Sequence, residues 1–553
     1  MVYSRRPPSG ARAGFVRRRD FLKRSLLMGA AASSSGALLS LLASHDEAQS
    51  QSSTPVRGGT FVAVGHQEVP TLSPGKAVGN VPLFIMYQLY DGLVDVDENF
   101  EVQPALAESW EISDDGLTYT FKLRKGVLFH DGVEMTSEDV KYTYEFYGDP
   151  ESGSTISGQA ADIESIDTPD PYTVVFTLSQ PNATFLRITA TNYYIVPKHY
   201  HEEVGEEVFE TRPIGTGAFK LKEWRPAEFT ELEAFDDHFR GRPNIDILRQ
   251  EIVPEASVRA IAMETGQADT MTWPPLIEDN LRFAADTENF TTFVSSSLSV
   301  NHFPLNNNHP ILSDKRVRQA MMYAFDRPRQ INDVQQGAAT LATSNLSPSL
   351  VQWFEAMVTT YDYNPAKAEE LLEEAGWTMG SDGIREKDGQ KLTFTCTTIT
   401  GDQARRPQAE ILQQQLLAVG IDMQLSEAPI TAIQTGLRNN TVDASLFNWN
   451  YGGTNGDPDA PTTLPSDGRS NWSNFANARV DELLKLGRQE VDPERRAEYY
   501  REIQRIVADE VPFLFVMYWD WFNIFSSRIK GLPKSALAGD FIYKKLHEIW
   551  IEA

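Results

Sequence analysis

The sequence predicts an α/β protein, and three local patterns carry that prediction. Asp115-Gly116 is a turn dipeptide between two runs rich in aromatic and branched residues, the local mark of a β-hairpin. Thr136, with Asp139 three residues on, reads as a capped helix start. A helical run over 409–419 closes at Gly420 and leads directly into Ile421-Asp-Met-Gln-Leu425. Repeated helix-to-strand steps of this kind build an α/β lobe.

At 553 residues the chain is long enough for about three domains. Hydrophobic residues at 41% exclude disorder as the default reading. The charge is lopsided. Residues 1–48 hold eight Arg or Lys against three acids, a net of +5, so the rest carries −32 of the total −27. A body that acidic argues against nucleic acid and anionic lipid headgroups as partners. The single cysteine, Cys396, excludes a disulfide framework and a CxxC pair, and reads as a half-buried strand thiol.

The first 48 residues read as an address. Arg17-Arg18-Arg19-Asp20-Phe21-Leu22-Lys23 precedes a mildly apolar stretch, Ser25–Ala43, threaded with serines and two glycines. Arg18, Arg19, Phe21, Leu22 and Lys23 resemble the twin-arginine export motif, which implies the twin-arginine machinery as a partner. A permanent membrane anchor is the competing reading, weakened by the 19-residue length and the Ser and Gly content. No cysteine ends the apolar run, so the expectation is a soluble periplasmic protein.

Residues 49–56 are a polar linker, and Arg57–Gly65 opens the body as a strand. Within the hairpin, Leu117, Tyr119, Phe121 and Leu123 alternate with Thr118, Thr120, Lys122 and Arg124, giving one apolar and one wet face. Thr173–Leu178 is a further strand. Gly215 and Gly217 suit a turn where backbones approach closely; the Gly-x-x-x-x-Gly-Lys-Ser/Thr of a phosphate loop is absent. Ser313 is the expected cap of a helix whose Val317, Ala320, Met321 and Ala324 share one face. Asn364-Pro365, closed by Gly376, marks another helix.

The wording of Leu106–Val140, including Trp110, Phe121, Gly126, His130-Asp131-Gly132 and Thr136, resembles the signature region of the family 5 solute-binding proteins of ABC importers. Asn306–Arg327 resembles a second landmark of that family, and the likeness covers roughly residues 57–550. It implies a periplasmic-binding-protein-like fold (type II, large cluster C form), with two lobes joined by hinge strands. Lobe I would comprise 57–91, 212–302 and 508–553, with an extra domain over 92–211, and lobe II would be 303–507.

The likeness also implies a monomeric receptor, without cofactor, that hands a small solute to the permease subunits of an importer. Peptide is the favoured solute and oligosaccharide the alternative. The loop holding Trp449, Asn450, Tyr451, Gly453, Thr454 and Asp457 combines aromatics, glycines and amides, a composition suited to recognition rather than to a core. In the family an aspartate after the tryptophan pairs with the ligand's amino group; by position that residue is Thr454 here. A neutral hydroxyl cannot make that charge-assisted bond, which puts free-amino-terminus binding in question and leaves Glu68 or Asp457 as replacements.

Other expected contacts are His66 on the first loop, Trp273, the His302-Phe303 pair, and Tyr518-Trp519 near the end. Each aromatic also reads as an ordinary core residue. Arg405 could grip a carboxylate or stand solvated at a helix start. Gly-x-Ser-x-Gly and His-Glu-x-x-His are absent, and nine histidines lack ligand spacing, so no catalytic or metal residue is assigned. The alternative of another class is a secreted hydrolase, since 77 acids could hide a carboxylate pair.

Overall fold

Strand alternation and helix caps place the elements where the sequence expects them. The computed structural model describes residues 54–553 apart from 78–79, 98, 273–275, 403–404, 452–454, 460–462, 469, 534–538 and 553. The export motif, Trp273, Gly453 and Thr454 therefore lie outside the described residues. Among those described, no helix is long and apolar enough to cross a membrane.

The hairpin forms between Ala107–Ile112 and Thr118–Leu123, with Gly116 at φ +69 in its turn. Tyr119, Phe121 and Leu123 are buried, as their alternation predicts. Thr173–Leu178 and Ile163–Asp170 complete a four-stranded antiparallel sheet. Thr136 caps the helix Ser137–Gly148 in a reciprocal box, its amide donating to Asp139 Oδ2 at 2.8 Å. The helix Lys315–Ala324 is capped by Asp314, not Ser313: the Asp314 carboxylate accepts the Arg316 amide at 2.9 Å, and the chain becomes helical one residue late. Gly215 and Gly217 pass against the 88–90 backbone so closely that a Cβ would fall 2.1 Å from Leu89 O and 2.2 Å from Gln88 O. Only glycine fits there.

A nine-stranded mixed sheet organises the molecule. Its order is Phe447–Asn450, Phe290–Pro304, Phe513–Ser526, Thr270–Met271, Thr60–Gly65, Ile247–Ile252, Phe229–Ala234, Phe219–Arg225, with Ala339–Leu341 also paired to Phe513–Ser526. Thr60–Gly65 runs parallel to both of its neighbours. A separate parallel sheet joins Thr393–Ile399 to Asp422–Ala428 and Ala444–Ser445, with the helix Arg406–Ala418 between the first two strands in sequence. Cys396 is fully buried there rather than half-buried, because its strand has a neighbour on each side, and burial pushes its thiol up to about 12.

Two large apolar cores result. One gathers residues between Phe61 and Leu248 with Phe525–Ile549; the other runs from Leu298 to Tyr518. The antiparallel strands Phe290–Pro304 and Phe513–Ser526 pass between them. Phe303 and Phe513–Tyr518 sit in the second core, while Phe525 belongs to the first. At mid-length the ladder breaks: Ser296 faces Asp520 and Val300 faces Tyr518, so four steps on one strand match two on the other. Around the break Ser295, Ser296, Trp519, Asp520 and Trp521 are only half-buried.

Candidate functional site

The strand break gathers the polar groups that a bound solute could use. Phe447–Asn450 pairs with Phe290–Pro304 in the register Ser299–Asn450, Val300–Trp449, Asn301–Asn448. Directly paired side chains share a face, and Asn301 Nδ2 donates to Asn448 Oδ1 at 2.9 Å. Arg405 Nε donates to the same oxygen at 3.1 Å, and the guanidinium also pairs with Asp402. The Arg405 carbon lies 6.0 Å from the Trp519 ring centre, at the outer reach of a cation–π contact. Asn301, Asn448, Arg405 and Trp519 thus form one cluster built from three strands and a helix start.

Two atoms of that cluster stand out. Trp519 Nε1 and Asn301 Oδ1 are buried and have no hydrogen-bond partner among the described residues. A buried donor or acceptor left unmade costs about 1–3 kcal/mol, so such a pair suits a ligand that supplies the missing bonds. Asp520 stands on the opposite face of its strand, since neighbours alternate. Burial pushes its carboxyl up to about 6. Across from it, Ser296 Oγ is also buried without a partner among the described residues. Asn301 and Asn448 join Arg405 and Trp519 on one face of the break, with Asp520 on the other. The run Ser295-Ser296-Ser297, three serines in succession inside one long strand, was the signal that could have located the break.

Trp449 and Tyr451 line a small neighbouring cavity of about 10 Å³, room for one water. Trp449 meets Trp472 edge-on at 4.3 Å, and Trp472 Nε1 is buried without a partner among the described residues. Tyr451 stacks on Phe513 at 5.3 Å, and its hydroxyl lies 3.3 Å from His302 Nε2. Burial lowers His302 to about 4, so it is neutral near pH 7.

Several expected contacts stand apart from this cluster. His302 and Phe303 are each 1% exposed, Phe303 against Phe325 in the second core. The Tyr518 hydroxyl reaches the carbonyls of Ser344 at 2.9 Å and Leu346 at 2.7 Å, a structural anchor. Asp457 is fully buried, and both its oxygens accept from Arg496 at 2.7 Å. Glu68 is exposed and accepts the amide of Ala227 at 3.1 Å. His66 is half-buried at the end of the first strand; burial and the Arg259 charge lower its pKa. Asn450 is half-buried beside the cluster.

Comparison with known proteins agrees with this architecture. The family model described as bacterial extracellular solute-binding proteins, family 5 Middle, matches residues 101–471. The oligopeptide-binding protein AppA of Bacillus subtilis is 30% identical over 494 residues, 86% of this chain and 89% of that one. The solved structure of AppA from Bacillus subtilis with a nonapeptide superposes with a TM-score of 0.78 at 28% identity, covering 90% of this chain and all of that one. NikZ from Campylobacter jejuni with Ni(L-His) matches with a TM-score of 0.78 at 27% identity, covering 89% and 99%. With the matched model spanning most of the chain and the long strands framing a polar break between two cores, this chain belongs to family 5 of the bacterial extracellular solute-binding proteins.

Proposed function

We propose that the protein is the receptor of an ABC importer, capturing a peptide at the break in the ladder of the two long strands and presenting it to the permease subunits. The observation that carries this is the cluster Asn301, Asn448, Arg405 and Trp519. It offers an unmade donor, an unmade acceptor and a guanidinium within one floor, where Asn301 is buried and the other three are half-buried. A peptide backbone has the matching alternation of carbonyl and amide groups, and Trp519 offers a flat apolar surface beside them. That AppA binds a nonapeptide supports peptide over sugar. Membership of a binding family sets the secreted hydrolase aside: the protein is not an enzyme, and the ligand leaves as it came.

The two cores act as lobes, and the paired strands Phe290–Pro304 and Phe513–Ser526 act as the hinge between them. The ligand stabilises the shut form by touching both sides, as population shift requires. An affinity near micromolar, about −8 kcal/mol, is sufficient for such capture. The leader with Arg18 and Arg19 sends the folded chain through the twin-arginine machinery, and the mature receptor works as a soluble periplasmic monomer.

The test mixes purified protein with a pool of nonapeptides and a pool of oligosaccharides, then recovers what is retained by native mass spectrometry. Intact peptide is the expected result. Retention of sugar alone, or recovery of shortened peptide, overturns the reading.

A further inference from the structure

The recognition strand leads into a polar seam between the two cores. Asn455 follows Tyr451 by four residues and is 3% exposed. Its Nδ2 donates to Thr191 Oγ1 at 2.5 Å and to Asn192 Oδ1 at 3.0 Å. Thr191 and Asn192 sit between Phe185 and Tyr193, members of the first core, whereas the Asn455 loop packs with the second. Phe100 touches both cores and rests on Gly456, where an added Cβ would fall 2.4 Å from its ring.

The seam continues through polar contacts. The Ala183 amide donates to Arg488 O at 2.8 Å, Gln489 Nε2 donates to Gln180 Oε1 at 3.0 Å, and Arg488 lies 3.4 Å from Asp162. A permanent domain junction is a large apolar surface, whereas most of the contacts named here are exchangeable polar bonds. The loop on the second-core side is held stiffly from behind. Asp457 is clamped by Arg496, and Trp353 Nε1 donates to Gly456 O at 3.0 Å.

We propose that Asn455 is a positioning residue that latches the two cores together in the shut form through Thr191 and Asn192. The latch rests on the receptor reading above. Its position makes the shut form sensitive to one side chain that contacts no solute. Losing both bonds in a site sealed from water lowers the shut-to-open ratio about tenfold, and losing only the Thr191 acceptor lowers it less.

The experiment is a pulsed-dipolar distance measurement between spin labels on S165C and K485C, exposed positions on the two sides, with buried Cys396 left unlabelled. Distances are read without ligand and with the nonapeptide pool, for the otherwise wild-type chain, for N455A and for T191V. The expected result is a short-distance population that grows with the pool in the wild type, with a short-to-long ratio about tenfold smaller in N455A and T191V intermediate. Identical distributions for wild type and N455A overturn the latch. Should N455A not fold by circular dichroism, T191V decides alone. Should calorimetry show no binding of the pool by the wild type, the receptor reading fails, while the ligand-free distributions still decide the latch.

Discussion

The ends and the middle of the two long strands obey different rules. Toward the ends, Phe303, Leu514, Phe515, Phe522 and Phe525 are at most 5% exposed and packed into apolar cores. In the middle, serines face Asp520 and Trp521, the ladder slips, and buried polar atoms stand without partners among the described residues. Ends of this kind hold the molecule together by removing apolar surface from water, at roughly 25 cal/mol per Å². A middle of this kind gives up stability and leaves bonds that a solute can complete. On the reading proposed above, the difference teaches that binding chemistry lies where the packing is interrupted.

The sharpest attack on this contrast is made at an end. Phe303→Ala should cost about 3–5 kcal/mol of stability in urea unfolding, through lost transfer energy and a cavity. The folded fraction should bind the nonapeptide pool with unchanged affinity. An affinity loss without a stability loss would break the contrast.

In the middle the order should reverse. Trp519→Ala should leave the urea midpoint nearly unchanged and weaken binding of the pool by about 2 kcal/mol, roughly thirtyfold in Kd, read by titration calorimetry. Equal binding would remove Trp519 from the site.

A smaller effect concerns pH. The folded-state value of about 6 for Asp520 lies above its ordinary 3.8, because burial favours the neutral acid. Its contribution to stability is therefore full below about pH 4 and is lost as pH rises through about 6. Asp520→Asn should match the parent at pH 4 and exceed it at pH 8 by about 1–2 kcal/mol. A variant less stable at pH 8 would show that the carboxylate has a stabilising partner.

The smallest effect belongs to Ser296→Ala. Removing a buried hydroxyl that has no partner among the described residues should be neutral or stabilising by about 0.5 kcal/mol, visible as a slight rise in Tm. A clear loss would mean that Ser296 Oγ is bonded.

Much of the fold was legible because its signals are local. The burial of Tyr119, Phe121 and Leu123 follows from a two-residue repeat, and the Thr136–Asp139 box spans three residues. Asn364 likewise caps Pro365–Glu374 by accepting the Lys367 amide at 3.1 Å. Gly215 and Gly217 were readable as close-approach glycines, though not what they approach. The miss at Ser313 was a choice between adjacent capping residues, settled by one residue of backbone.

The site was legible only as a set of residue types. Arg405, Trp449, Asn450 and Trp519 were chosen for their chemistry, and the structure gathers them around the strand break. Asp457 had the same chemistry on paper, yet Arg496, 39 residues on, takes both its oxygens. Tyr518 resembled Trp519 in every local respect until its hydroxyl was bound 172 and 174 residues away.

By itself the sequence determined the α/β class, the hairpin, the helix starts and the family likeness, because each depends on neighbours within a few residues or on a long matched wording. Only the tertiary structure decided which polar residues were already satisfied. Whether a carboxylate or hydroxyl is free for a solute depends on desolvation and on partners brought from distant sequence. No periodicity encodes that.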